Sequence, residues 1–207
     1  RTAPHRTRGF TAFVVPTRSE GVGIERLPTM ALNSYESCRV TLRGVRVHAE
    51  DVLGQPNEAL GQLMTCLNGE RISAAAVVNG IARGALERTL DHVRERHAFG
   101  KPLAQFQAVQ HRLATIATQV EVAWMTVIEA ARADAAGRPT DIQSSLAKWL
   151  SSKAALAATD AGMELLAAAG LLETELMQRW FRDARLHAIA PINNDMILNL
   201  LGERWLG

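Results

Sequence analysis

Glu70 is the residue of this 207-residue chain whose position most needs a chemical explanation. At helical spacing it completes a stripe of apolar residues, namely Leu63, Leu67, Ala74, Val77 and Ile81. A carboxylate buried on such a face is costly unless it is paired or protonated, and burial raises its pKa. A carboxyl group of raised pKa suits proton abstraction beside a carbonyl at neutral pH. The pattern alone also allows an ion pair with an arginine of another helix, or a position at the rim of the stripe.

A second group of chemically active residues lies in "RERHAFGKPLAQFQAVQ", residues 94–110. Arg94, Arg96, His97 and Lys101 surround a Gly-Pro loop between two predicted helices. Cations and a free helix N-terminus at such a loop commonly bind anions such as phosphate. Spacing alone favours the alternative, a solvated turn between helices.

Composition narrows the function classes. The chain has 23 basic and 21 acidic residues, a formal net charge of +2, so nothing favours nucleic-acid binding. Cys38 and Cys66 lack metal-ligand or disulfide spacing, and we expect no metal site and a reducing cytoplasm. No signal peptide is evident and no apolar run reaches the roughly 18 residues that span a bilayer. The absence of an initiator Met suggests that the chain is a fragment.

Residues 1–55 are predicted to form an incomplete β-domain. "GFTAFVVP" and "VGIERL" are short β-rich runs, and "SCRVTLRGVRV" alternates around Gly44 in the manner of two paired strands with a turn or bulge. Three or four strands are too few to close a barrel. We therefore expect this part to need strands from elsewhere to complete its sheet.

Residues 56–207 are predicted to form an antiparallel helix bundle. Asn57 is a candidate N-cap for a helix of some forty residues that "HAFGKPL" ends. A second long helix is expected from about Leu103 to Ala136 and a third from about Thr140 to Ala168. The shorter helices "ELMQRWFRDARL" and "DMILNLLGERWL" follow. Long helices with short connections favour an antiparallel bundle, and the fold class is α+β, mainly α.

The order of these segments resembles one enzyme family. "ERISAAAVVNGIARGALE", "ERHAFGKPLAQFQAVQHRLATIAT" and "RWFRDARL" resemble the C-terminal helical domain of acyl-CoA dehydrogenases, and "FTAFVVP" and "GVRVHAEDVLG" resemble the latter half of their middle β-domain. The resemblance implies α,β-dehydrogenation of an acyl-CoA or acyl-carrier thioester, with FAD as the cofactor. It also implies a homodimer or homotetramer and an electron-transfer partner such as an electron-transfer flavoprotein, with neither nucleic acid nor a membrane as partner.

The resemblance assigns FAD-binding positions. Arg96 and Phe99 match the family's Arg-x-x-Phe-Gly turn, which approaches the flavin of a neighbouring subunit, and Gln107 and Gln110 match the start of the next helix. The family's glutamine and paired glycines near the adenine appear here as Glu164, Ala167 and Ala168, a departure from the pattern. Asn193 and Asp195, polar residues late in the chain, complete the cofactor candidates.

The catalytic base departs from the commonest family pattern. Most members carry a glutamate in a loop after the "RDAR" motif, and the matching residue here is Pro191, which cannot accept a proton. A minority supply the base from the long helix, directly before an arginine, and here those residues are Glu70 and Arg71. We therefore assign Glu70 as the base and Arg71 to substrate binding, with a structural ion pair as the alternative for Arg71.

Three other functions remain open at this stage. The missing loop glutamate suits a non-catalytic subunit of a heteromeric dehydrogenase. A helical interaction module could keep the bundle and lose the flavin. A flavin-dependent monooxygenase could keep both the fold and the flavin and use oxygen.

Overall fold

The structure, a computed structural model, describes residues 9–34 and 36–207. The chain divides into two compact units, Arg1–Leu67 and Asn68–Gly207. The division falls within the first long helix, twelve residues beyond the predicted boundary at 55/56, which remains a prediction. Each unit is described below by itself.

The first unit contains two strand pairs. β1 (Ala12–Phe13) pairs with β4 (Val52–Leu53), and β2 (Val22–Leu27) pairs with β3 (Ser37–Leu42), both antiparallel. The predicted strand pair around Gly44 is wrong. Gly44 has a φ of 61°, so the chain leaves β3 in a turn and residues 45–47 form no strand. β3 takes its hydrogen-bond partner from β2 instead, over six paired residues.

One face of the β2–β3 hairpin is apolar and exposed. Ile24 lies opposite Val40, and Leu42 ends the same row opposite Val22. The exposed fractions of Ile24, Val40 and Leu42 are 52%, 60% and 61%. A row of this kind is typical of a sheet face that other chain segments cover. The predicted need for further strands remains a prediction.

Five α-helices make up most of the described chain: α1 (Ala59–Glu95), α2 (Gln107–Ala135), α3 (Asp141–Leu166), α4 (Leu176–His187) and α5 (Asn194–Leu206). Two predicted starts are wrong. Asn57 has a φ of 70° and lies two residues before α1, so it is not the N-cap. α2 begins at Gln107 and not at Leu103, because residues 103–105 form a separate 3₁₀ turn.

The second unit is an antiparallel bundle, as predicted. Asn79 of α1 donates to the carbonyl of Val120 in α2, whereas the earlier Ala75 packs with the later Ala130, so the two helices run in opposite directions. Ala130 also packs with Ala147 near the start of α3. α3 in turn packs on α4, where a Cβ added to Gly162 would lie 2.4 Å from the Met177 Sδ.

Small side chains dominate the centre of this bundle and let the helices approach closely. Its fully buried alanines include Ala82, Ala85, Ala123, Ala154, Ala155, Ala158, Ala161 and Ala184. α3 and its 3₁₀ extension, Asp141–Leu171, also have the length and hydropathy of a membrane span. Since α3 packs against α2 and α4 and thirteen of its residues are buried, we interpret it as the central helix of the bundle.

Candidate functional site

α1 presents two apolar faces, and only one of them is buried in the described chain. The buried face carries Arg71, Ala75, Val78, Asn79, Ala82, Ala85, Leu86, Thr89 and Val93. The stripe predicted from the sequence lies one residue, about 100°, away. Val77 is 57% exposed on that stripe, Ala74 and Ile81 are half-buried, and Glu70 is exposed. The expected burial of Glu70 is therefore wrong, because the sequence shows two apolar faces and does not say which one the bundle covers.

Arg71, and not Glu70, is the buried charged residue of this segment. Arg71 is 5% exposed, its Nη1 donates to the Asn68 Oδ1 at 2.8 Å, and its Nε has no hydrogen-bond partner. Burial lowers the pKa of Arg71, and the nearby carboxylates of Asp141 and Glu70 oppose that shift. Asp141 in turn accepts from the Arg204 Nη2 at 2.8 Å. Arg71 thus faces the start of α3, and its Nε lies buried.

A buried lysine that the sequence analysis did not select holds the connection between α4 and α5. Lys148 of α3 is 1% exposed, and its Nζ donates to the Ile192 carbonyl at 2.5 Å and to the Asn194 Oδ1 at 2.9 Å. Burial lowers the pKa of Lys148 to about 8. Residues 188–193, which we call the α4–α5 loop, contain Pro191.

His187 ends α4 directly before this loop. The imidazole is 7% exposed, and neither ring nitrogen has a hydrogen-bond partner. Burial lowers the pKa of His187; the carboxylate of Asp183 opposes this shift and the Lys148 ammonium adds to it. Neither the apolar neighbours of Lys148 nor the exposed appearance of "RDARLH" in the sequence gave a signal for this buried group.

A short hairpin connects α1 to α2 at the opposite end of the bundle. β5 (His97–Ala98) pairs with β6 (Lys101–Pro102), and both residues of the turn, Phe99 and Gly100, have positive φ values of 51° and 82°. Positive φ at both central residues is the geometry of the two-residue turns that fit a β-hairpin. The sequence predicted a Gly-Pro loop between two helices here, and the structure shows that this connection is a hairpin.

The hairpin presents Phe99 and several cations. Phe99 is 95% exposed, and its ring lies edge-on to Phe106, with 6.3 Å between centroids. The Lys101 Nζ lies 4.4 Å from the centroid of the Phe106 ring. Arg96 is exposed. Its backbone N–H donates to the His92 carbonyl and its carbonyl accepts from the Leu103 N–H, so the position of its Cα is fixed. The exposed Phe99 ring, the exposed Arg96 and the half-buried Lys101 together suit a ligand that carries both an aromatic ring and phosphate.

The start of α2 adds two exposed amides to this end. Gln107 is the first residue of α2, and Gln110 Nε2 donates to the Ala104 carbonyl at 2.8 Å. Between them and α3 runs an ion-pair cluster, in which Arg112 contacts both Glu164 and Asp160. The negative charge of Glu164 is therefore paired with Arg112 of the same chain.

Ala167 adopts a backbone conformation that suits glycine. Its φ is 51° and its ψ is −132°, directly after the last residue of α3. L-residues reach this region only at a cost, whereas glycine does so freely. Ala167 and Ala168 are exposed beside Glu164. Ala167 therefore occupies a backbone conformation that a glycine would adopt without strain.

The predicted site residues fall into two separate groups. Seven of the nine FAD candidates lie at what we call the hairpin end: Arg96, Phe99, Gln107, Gln110, Glu164, Ala167 and Ala168. Asn193 and Asp195 lie at the loop end, defined by Glu70, Arg71, Lys148 and the α4–α5 loop. There the side chain of Asn193 accepts from the Asp195 backbone N–H and caps α5. The two ends are about 38 Å apart along α1, counting from Glu70 to Glu95 at 1.5 Å per residue.

The hairpin end fits the adenosine and phosphate part of a flavin dinucleotide. Arg96 and Lys101 supply positive charge, Phe99 supplies an aromatic face, and the Glu164 carboxylate that would repel phosphate is paired with Arg112. The added methyl group of Ala167 stands on an exposed surface, so it does not close the site. These residues could hold FAD.

Comparisons with known proteins identify the family of this chain. The acyl-CoA dehydrogenase C-terminal domain matches residues 59–206. The chain is 32% identical over 201 residues to the mitochondrial short/branched chain specific acyl-CoA dehydrogenase of Rattus norvegicus, covering 97% of this chain and 46% of that protein.

Solved structures share the fold. The butyryl-CoA dehydrogenase of Megasphaera elsdenii matches with a TM-score of 0.91 and 29% identity, over 96% of this chain and 52% of that one. A chain in the structure described as the electron transferring flavoprotein of Acidaminococcus fermentans matches with a TM-score of 0.89 and 27% identity, over 95% and 52%. The chain thus spans about half the length of the relatives it matches. It belongs to the acyl-CoA dehydrogenase family, and residues 59–206 form its C-terminal domain.

Proposed function

We propose that the protein containing this chain oxidises the Cα–Cβ bond of an acyl thioester and that Glu70 removes the α-proton. The observation that carries this proposal is the exposure of Glu70 on a face of α1 that is otherwise apolar. A catalytic carboxylate has to reach its substrate, and Val77, Ala74 and Ile81 offer the apolar surface on which an acyl chain would lie. Pro191, at the matching loop position of most relatives, has no proton-accepting group.

Different residues of this chain have different roles in the proposed reaction. The Glu70 carboxylate takes the α-proton, and the Arg71 guanidinium places positive charge near it. FAD, when bound, supplies the flavin N5 that accepts the β-hydride. Arg96 and Phe99 bind the cofactor's phosphate and aromatic parts at the hairpin end.

The separation of the two ends supports an oligomer. Glu70 and the hairpin end lie about 38 Å apart, farther than one bound FAD extends, so a single chain does not supply both to the same flavin. Two copies in a symmetric dimer or a tetramer would each give Glu70 to one site and the hairpin to the other. A heteromer in which a different subunit supplies one of the two parts is the second candidate. We propose an electron-transfer flavoprotein as the oxidant of the reduced flavin and the cytoplasm as the location.

The test is anaerobic bleaching of the flavin in the full-length protein by a panel of acyl-CoA thioesters. Glu70→Gln is expected to lower the bleaching rate about 1,000-fold with FAD still bound, since a positioned base contributes 10²–10⁴ in rate. Glu87→Gln is the matched control, because Glu87 is an exposed carboxylate of the same helix that pairs with Arg83. The control is expected to bleach at the parent rate.

Each other outcome selects a different function. Equal bleaching in the parent and in Glu70→Gln removes Glu70 as the base. If the parent keeps FAD but none of the thioesters bleaches it, the protein is a non-catalytic subunit. Rapid reoxidation of the reduced protein by oxygen, with incorporation of an oxygen atom into a substrate, identifies a monooxygenase. A full-length protein that binds no flavin is an interaction module.

A further inference from the structure

We propose that Lys148 is a positioning residue that fixes the α4–α5 loop as a wall of the acyl-thioester site. The inference rests on the proposed function in one respect, that the loop containing Pro191 borders the substrate. The anchoring itself follows from the contacts of Lys148 and has a test that needs no substrate.

Lys148 is an unusual residue to find inside a helical bundle. It lies among the largest fully buried side chains of the described residues, and a lysine is rarely buried unless it is paired. The partners of its Nζ are two uncharged oxygens, the Ile192 carbonyl and the Asn194 Oδ1. Burying an amine beside uncharged partners costs free energy, and burial lowers the pKa of Lys148. Stability alone therefore does not explain a lysine at this position.

The geometry of the contacts assigns that role to the loop. The other hydrogen bonds of the loop are local: Ile189 and Ala190 donate to the Leu186 carbonyl, and Asn194 donates to the Ala188 carbonyl. They fold the loop on itself and on the end of α4. The bond from Lys148 to Ile192 instead ties the loop to α3, across 44 residues of sequence.

A second contact fixes the far end of the loop. Asn194 begins α5, and its side chain bonds both Lys148 and the hydroxyl of Ser152, one turn further along α3. Lys148 and Ser152 thus hold the loop and the start of α5 from a single helix. An amine carries at least two N–H groups whether or not it is protonated, so both Lys148 bonds persist on either side of its pKa.

The loop can respond if the anchor is lost. Pro191 and Ile192 are half-buried and Asn193 is exposed. A freed Ile192 carbonyl can therefore reach water through a small movement of the loop, without unfolding of the bundle. We expect the removal of Lys148 to open the loop and to leave the helices in place.

The experiment compares Lys148→Met with Lys153→Met in the full-length protein. Methionine keeps the length and apolar stem of lysine and removes the donors. Lys153 is exposed on the same helix and is the matched control. Three experiments are made on each variant. The first follows hydrogen–deuterium exchange of peptides that cover residues 187–197, and the second determines the urea midpoint. The third determines the KM and kcat for the best thioester, together with the FAD content per chain.

In Lys148→Met we expect exchange in residues 187–197 to rise about tenfold, because the loop loses its hydrogen bond to α3. The hydrogen–deuterium exchange of α2 is expected to stay at the parent value. The urea midpoint is expected to stay at the parent value or to rise. KM is expected to rise at least about threefold as the competent loop conformation becomes less populated, with kcat and FAD content nearly unchanged. Lys153→Met should change none of these. A purely structural lysine would lower the midpoint and the amount of active enzyme and leave KM unchanged.

Three results would overturn the proposal in whole or in part. Unchanged loop exchange in Lys148→Met removes the anchor, whatever the kinetics show. Faster loop exchange with an unchanged KM shows that the loop is anchored but does not border the substrate. A parent protein that oxidises no thioester contradicts the proposed function and hence the wall, and the exchange measurement still decides whether Lys148 anchors the loop.

Discussion

The hairpin end and the loop end of the bundle use polar residues in opposite ways. At the hairpin end Arg96, Phe99 and Gln107 point their functional groups outward, and Phe99 is held there in a turn with positive φ. At the loop end Lys148 and His187 are buried, and Lys148 donates its hydrogen bonds to other residues of the same chain. We interpret the exposed aromatic residue in a costly backbone conformation as organised for the proposed cofactor, and the buried amine with neutral partners as organised for a neighbouring segment.

This difference teaches which changes each end tolerates. In the proposed function Arg96 contacts another molecule and is exposed, so its substitution should alter binding and leave stability nearly unchanged. Lys148 is a buried charge, so its substitution should change stability and the way in which stability depends on pH.

The largest expected effect is the pH dependence that Lys148 gives to stability. Its pKa in the folded chain is about 8 and that of an ordinary lysine 10.5, so between these values the unfolded chain binds the proton more tightly. The free energy of unfolding should therefore rise with pH over this range, by about 3 kcal/mol, at 1.36 kcal/mol per pKa unit. Lys148→Met should remove this rise. Urea unfolding at pH 7.5 and at pH 10 measures it.

Lys153→Met controls for the titration of exposed amines and should keep the rise. If Lys148→Met and the parent gain equal stability between the two pH values, the contrast between a buried loop end and an exposed hairpin end is wrong for this residue.

A smaller effect is expected for FAD affinity at the hairpin end. Arg96→Met should weaken FAD binding about tenfold to 100-fold, the worth of a hydrogen bond to a charged group. Its urea midpoint should remain near that of the parent, because Arg96 is exposed. Fluorescence titration of the full-length apoprotein with FAD measures the affinity.

Arg94→Met is the control for this measurement, since Arg94 is an exposed cation two residues away that pairs with Asp91. Equal affinities in the Arg96 and Arg94 variants would show that the hairpin end attracts FAD by net charge alone and not through a particular side chain.

The smallest expected effect is the change in stability when glycine replaces Ala167 or Ala168 at the hairpin end. Ala167→Gly should stabilise the protein by up to about 1 kcal/mol, because glycine adopts the φ of 51° without strain while it loses more entropy on folding. Ala168→Gly, at the next exposed position, should instead cost about 0.5–1 kcal/mol. Thermal unfolding of the two variants compares them. A loss of stability in both would show that Ala167 is not strained.

The sequence predicted the helices well and their surroundings less well. The bounds of α3, α4 and α5 lie within about two residues of expectation, because Thr140 and the periodic apolar residues mark them locally. The hairpin between α1 and α2 was not predicted, because Phe99 takes a φ that a bulky residue seldom adopts. The strand expected after Gly44 was wrong because the partner of β3 is β2, earlier in the chain.

The candidate site was predictable in its contiguous part and not in the rest. Arg96, Phe99 and Gln110 belong to one stretch of sequence, and the structure keeps them together. Lys148 and Ile192 meet across 44 residues, and nothing in the neighbourhood of a helical lysine indicates whether its amine is buried. Glu70 was expected to be buried because a stripe of apolar residues does not reveal what covers it.

The length of α1 between Glu70 and the hairpin has a genetic consequence. If each flavin takes the carboxylate from one copy and the arginine from another, a Glu70→Gln copy and an Arg96→Met copy are defective in different halves of a shared centre. A mixed dimer of the two then contains one doubly defective centre and one intact centre. Co-expression of two inactive alleles should restore part of the activity, whereas neither allele should recover when it is expressed alone.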